Sequence, residues 1–136
     1  MKEIKLEAKT EKLDEVLVFV DGELEAAGCT MKGQLQLDVA VEEIFVNIAS
    51  YAYPEGSGSA TIQVNTDPDK KYVTITFIDE GIPYNPLAKE DPDVTLSAEE
   101  RQIGGLGIFI VKKSMDTTAY ERTDGKNVFS MGYSWA

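Results

Sequence analysis

The sequence contains no histidine and a single cysteine, Cys29. An intrachain disulfide is therefore excluded, as are the Cys/His ligand sets of zinc sites, and a reducing cytoplasm is the expected compartment. Basic residues are scarce, 13 against 24 acidic ones, which leaves a formal net charge of −11. Such a balance argues against direct nucleic-acid binding, which needs clustered Lys and Arg. Long apolar runs are also missing: no segment approaches the ~20 residues that span a bilayer. At the N-terminus, MKEIKLEAKT alternates charged and apolar residues where a secretory signal needs a continuous apolar stretch. The expectation is a soluble protein with no membrane partner. For a nucleotide ligand, the acidity implies that polyphosphate would be held mainly through a metal ion and backbone N–H groups.

What the chain does have is regular patterning. Its 136 residues and 43% hydrophobic content suit one domain spanning 1–136. Ile4, Leu6 and Ala8 alternate with charged residues as in a half-buried strand. From Lys12 to Ala27, Leu13, Val16, Leu17, Val20, Leu24 and Ala27 recur at helical spacing, with Thr10 as the expected N-cap and Gly28 as the stop. A second helix is expected to begin soon after Gly33 and to run to Pro54, carried by Leu35, Leu37, Val41, Ile44, Phe45, Ile48 and Ala52. Two β-patterned runs, 60–65 and 72–78, flank a turn-forming segment and predict a hairpin.

Residues 81–105 hold Pro83, Pro86 and Pro92 among many charges and predict a long exposed loop, with one helical turn over 97–100. Loops of that length in a compact domain are often binding lids. A helix over 106–115 and a closing hairpin around Asp124-Gly125 complete the order strand, helix, helix, hairpin, lid, helix, hairpin. This order predicts an α+β, two-layer sandwich: a mixed, largely antiparallel sheet covered on one face by three helices.

Three short elements carry the chemistry. Glu43 and Asn47 stand one turn apart on the second helix, so both emerge on the same side. Asp79-Glu80-Gly81-Ile82-Pro83 follows a strand; an Asp there can accept from an exocyclic amine, and Gly81 lets the backbone approach a flat ligand. Gly104-Gly105-Leu106-Gly107 opens an apolar helix, where free N–H groups and the helix dipole favour an anion. Each has an ordinary alternative: a boundary Asn bonded to backbone, an Asx-turn, a flexible hinge. A Walker A loop is excluded because Val111 precedes Lys112, and a dinucleotide fingerprint because Ile110 stands where its third glycine belongs.

Taken in order, Glu-x-x-x-Asn, Asp-x-Gly-x-Pro and Gly-Gly-x-Gly resemble the GHKL ATP-binding fold of histidine kinases and type II topoisomerases, the Bergerat-type fold. Within that group, Val41-Glu42-Glu43-Ile44-Phe45-Val46-Asn47 and Gly104-Gly105-Leu106-Gly107-Ile108-Phe109-Ile110-Val111 look most like the bacterial anti-sigma-factor serine/threonine kinases, over nearly the whole chain. The resemblance implies ATP and Mg2+ as cofactors, with Asn47 as metal ligand and Glu43 as catalytic general base. It implies Asp79 on the adenine amine, Gly81 beneath the base, and Gly105 and Gly107 closing on the phosphates with Gly104 as a helper. Arg101, in the lid just before the glycines, would neutralise charge on the transferring phosphoryl group, with a solvated lid arginine as the plain alternative.

The chain departs from the pattern where many relatives have Gly-Thr: Gly125-Lys126-Asn127 stands there, and Asn127 keeps the capacity to hydrogen-bond nucleotide. A sigma factor, an anti-sigma-factor antagonist and a second copy of the chain are the implied partners. Two other functions stay open. One is a nucleotide-dependent binding switch without transfer; the other, a histidine-kinase catalytic domain, is disfavoured by the absence of histidine.

Overall fold

A computed structural model of the chain describes residues 1–88 and 105–136. Strand β1, Lys2–Glu7, keeps Ile4 and Leu6 half-buried against the core and its charged residues outside. A 3-10 turn over Thr10–Lys12 leads into helix α1, Leu13–Ala27. Lys12 occupies the N-cap position without a side-chain capping bond, so Thr10 is not the cap: the turn already engages the backbone there, with Lys12 N–H donating to Lys9 O. Gly28, at φ 83, ends α1 in a Schellman motif, in which Gly28 N–H donates to Glu25 O and Cys29 N–H to Leu24 O.

Helix α2, Met31–Tyr51, starts earlier than the sequence suggested. The Thr30 hydroxyl caps it by accepting from Gly33 N–H at 3.1 Å, so Gly33 lies inside the first turn. A Cβ on Gly33 would stand 3.0 Å from both Thr30 Oγ1 and the Tyr133 ring, so a residue that usually weakens helices serves the packing here.

Strands β2 (Ser59–Asp67) and β3 (Tyr72–Asp79) form the expected hairpin. Helix α3 spans Gly105–Ser114, and β4 (Thr117–Thr123) and β5 (Lys126–Ser134) close the chain through Asp124 and Gly125, both at positive φ. Among the described residues the strand order is β1-β2-β3-β5-β4, and all four pairings are antiparallel. Three helices on a five-stranded sheet make the α+β architecture that was expected, but the sheet is not mixed: β2–β3 and β4–β5 are hairpins, and β1 joins β2 and β5 joins β3 antiparallel as well. The helical turn expected over 97–100 lies outside the described residues.

Alternation sorts the sheet. Ala60, Ile62 and Val64 of β2, Val73, Ile75 and Phe77 of β3, and Phe129 and Met131 of β5 are buried together with Val16, Val20, Leu24, Leu37, Val41, Ile44 and Phe45 of the helices. Each of these side chains larger than alanine contributes about 1.5–3 kcal/mol on burial, so this layer holds the helices on the sheet. The period carries on past Phe77 to Asp79, which places a carboxyl group on the helix-facing side where the apolar series predicts another hydrophobe. Asn127 is its partner in β5, and both are 5% exposed.

A second acidic feature sits between α1 and α2. Asp21 and Asp38 each have an Oδ1 that is buried without a hydrogen-bond partner. Burial, the hydrogen bond to Asp21 and the Asp21 charge together push the Asp38 pKa up from 3.8 to about 8. Two ionised carboxylates only accept, so a bond between them exists only while one holds a proton. The native state therefore keeps a proton that the unfolded chain has released, and stability present below the ordinary carboxylate range is lost as pH rises through about 8. Asp38→Asn is expected to add about 1–2 kcal/mol at pH 8, an amount discounted for partial exposure, and to flatten the pH dependence. Thermal unfolding at pH 5 and pH 8 measures both; an unchanged slope in the variant would assign the dependence elsewhere.

Candidate functional site

Helix α2 and the adjoining ends of β3 and β5 enclose a cleft of about 430 Å³, its mouth included. Ile44, Ile48 and Phe129 supply apolar walls, while Asn47, Asp79 and Asn127 supply polar groups, the composition expected of a pocket for a flat, partly polar ligand. Asn47 reaches the cleft because it lies one turn beyond Glu43 and next to the buried stripe of Ile44 and Phe45. Its amide is unsatisfied: Nδ2 is buried without a partner, and Oδ1 accepts no bond among the described residues. An amide oxygen left free at the edge of a largely apolar cleft is a hard donor of the kind magnesium takes, so Asn47 fits that ion.

Asp79 is held from one side. Its Oδ1 accepts from Gly81 N–H and from Asn127 Nδ2, each at 2.9 Å, while Oδ2 has no partner among the described residues and is left to the cleft. Asn127 is engaged at both ends: Nδ2 also donates to Ile82 O at 2.8 Å, and Oδ1 accepts from Tyr84 N–H at 3.3 Å and from the Tyr120 hydroxyl. All four bonds of the Asn127 amide stay within the protein, and the residue stands behind Asp79.

Glu43 does not line this cleft. Its carboxylate sits under the first turn of α3, where a Cβ on Gly107 would come within 1.9 Å of Glu43 Oε2. Glycine at 107 is what lets α3 approach that closely. Glu43 has no hydrogen bond or ion pair among the described residues, and burial, helped by the neighbouring Glu42 charge, raises its pKa above 4.5. A carboxylate that is desolvated and unpaired is a stronger base than one in water.

Gly81 lies beside this cleft and outside its lining. It packs on the end of α2, where a Cβ would meet Ala52 O at 2.3 Å, and the next residue secures the contact as Ile82 N–H donates to Ala52 O at 2.9 Å. It borders a separate open cleft with Arg122 and Tyr53. Gly105 begins α3, while Arg101 and Gly104 lie outside the described residues.

Sequence reasoning missed the residues that brace the Asp79 loop. Arg122 Nη1 donates to Gly81 O at 2.8 Å, the Tyr53 hydroxyl accepts from Glu80 N–H at 2.9 Å, and Tyr120 bonds Asn127. Only the alternation of Tyr120 and Arg122 on one strand hinted that the two act together.

The family described as Histidine kinase-like ATPase domain matches residues 6–133. Among curated proteins, the chain is 29% identical to the serine/threonine-protein kinase BtrW of Bordetella bronchiseptica over 67% of its own length and 63% of that protein's. It is 25% identical to the serine-protein kinase RsbW of Bacillus mycoides over 96% of its own length and 83% of that protein's. Among solved structures, the histidine kinase domain of the Erythrobacter litoralis blue-light-activated histidine kinase superposes with a TM-score of 0.55 at 14% identity, covering 93% of this chain and 60% of that one.

Proposed function

The chain belongs to the histidine kinase-like ATPase domain family, and from that premise we propose that it binds ATP with magnesium and phosphorylates a serine or threonine of a partner protein. The observation that carries this reading is the cleft in which the unpartnered amide of Asn47 and the open Oδ2 of Asp79 face one space, one helical turn from the desolvated Glu43.

Asp79 Oδ2 accepts from the exocyclic amine of the base, and Ile44, Ile48 and Phe129 exclude water from its faces. Asn47 Oδ1 would hold the metal, and bound magnesium would supply the positive charge that polyphosphate needs in a chain of net charge −11. The first turn of α3, opened by Gly105 and Gly107, turns backbone N–H groups toward the phosphates. Glu43 takes the proton of the partner's hydroxyl as its oxygen bonds to the γ-phosphorus and the bond to the β–γ bridging oxygen breaks, with ADP departing on that electron pair.

The partners follow from the resemblance to anti-sigma-factor kinases: the phosphorylated protein is an antagonist, and the second partner is a sigma factor. Phosphorylation adds about −1.5 to −2 charges to the antagonist, and a strongly acidic kinase then repels it. On this reading residues 1–136 act as one cytoplasmic domain whose lid spans about 81–105.

A second reading rests on the contact between Gly107 and Glu43. The start of α3 covers the carboxylate, so nucleotide could serve only to set the position of α3 and reshape a partner surface. Incubation with γ-labelled ATP and the candidate antagonist separates the two. Acid-stable label on the antagonist is expected; tight nucleotide binding with no label would leave the switch, and acid-labile label would point to phosphohistidine.

A further inference from the structure

We infer that Asn127 makes the cleft selective for adenine over guanine by occupying one oxygen of Asp79. The inference rests on the nucleotide reading above and adds to it the choice of base.

Asn127 is saturated. Its amide nitrogen has two hydrogens, spent on Asp79 Oδ1 and Ile82 O, and its amide oxygen has two lone pairs, taken by Tyr84 N–H and the Tyr120 hydroxyl. Ile82 O can only accept and Tyr84 N–H can only donate, so the amide cannot turn over without breaking bonds at both ends. It is buried as well, at 5% exposure. The group is a fixed brace with no valence left for a ligand.

Asp79 feels the result. An ionised carboxylate has about four lone-pair sites on its two oxygens. Gly81 N–H and Asn127 Nδ2, each at 2.9 Å, take both sites on Oδ1. Only Oδ2 remains for a base. Adenine presents an amine donor beside a ring acceptor and is satisfied by one oxygen. Guanine presents N1–H and the N2 amine side by side and needs both carboxylate oxygens, while its O6 would oppose the carboxylate if it lay where the adenine amine does. With Oδ1 filled, a guanine leaves a donor unpaired in a largely apolar cleft, which is how a polar site rejects a near-isostere. Asn127 is accordingly a positioning residue that sets specificity through Asp79 without touching nucleotide.

The test is calorimetric titration of the whole chain with ATP and with GTP, both with magnesium, in wild type, Asn127→Ala and Tyr120→Phe. Wild type is expected to prefer ATP. Asn127→Ala should narrow that preference by about tenfold or more, since it has no donor and one site on Oδ1 becomes free. Tyr120→Phe removes only the hydroxyl that anchors the amide oxygen and should narrow it by about threefold with the fold intact. This variant decides the matter if Asn127→Ala fails to fold by circular dichroism. A purely structural role would weaken both nucleotides alike and leave their ratio unchanged. An unchanged ratio in folded variants overturns the inference, as does a wild type that binds ATP and GTP equally. A wild type that binds neither nucleotide overturns the nucleotide reading itself, and this inference with it.

Discussion

Glu43→Gln slows phosphoryl transfer by about 10²–10⁴-fold and leaves nucleotide affinity within a few-fold of wild type, the loss expected when a general base is removed. The substitution keeps the shape that fits beneath Gly107 and removes only the proton acceptor. Affinity survives because Glu43 is not among the residues that line the cleft. The pH profile gives a second readout. Burial raises the Glu43 pKa above its ordinary 4.5, so the protonated, inactive form appears earlier as pH falls than it would for an exposed carboxylate. Wild type should lose rate on an acid limb displaced upward from that value, and the variant should lack the limb. Single-turnover transfer across pH, with nucleotide titration alongside, makes both measurements. Equal damage to binding and transfer would end the separation of roles between Glu43 and Asn47.

Asn47→Ala abolishes magnesium-dependent nucleotide binding and costs almost no stability. The two halves of that expectation have one origin: the Asn47 amide makes no hydrogen bond among the described residues, and its Nδ2 is buried unpaired. Truncation therefore breaks no bond within the protein and relieves an unsatisfied polar group, so the thermal midpoint should hold or rise slightly. What disappears is the oxygen offered to the metal. Titration of ATP with and without magnesium should show a large difference in wild type and none in the variant. A variant that keeps the magnesium response would place the metal ligand elsewhere.

Much of this was readable in the sequence. Element order, both hairpins and the apolar stripes of α1 and α2 follow from local periodicity, which the chain obeys almost everywhere. Asp79 stood out as the acid that opens Asp-x-Gly-x-Pro directly after the 72–78 run, though its place inside β3 did not. What the sequence hid depends on distant partners. Asp21 and Asp38 read as ordinary solvated helix charges until α1 packs on α2. Tyr120 and Arg122 brace a loop some forty residues earlier only because β5 lies between β3 and β4 and carries β4 to that edge of the cleft. The helix starts were missed for a smaller reason: Thr30 competes with Gly33 for the beginning of α2, and a capping hydroxyl outweighs a glycine's weak propensity.

The strand order also bears on how this protein behaves in concentrated solution. Among the described residues β1 and β4 are the outermost strands, each with one row of backbone groups unpaired, the kind of rim onto which another molecule's strand can add. Lys2, Glu3, Lys5 and Glu7 along one rim and Glu121 and Arg122 on the other set ionic side chains beside that row. An incoming strand would have to strip water from them, so the same charges that give β1 its alternation also guard the sheet against fibrous self-assembly.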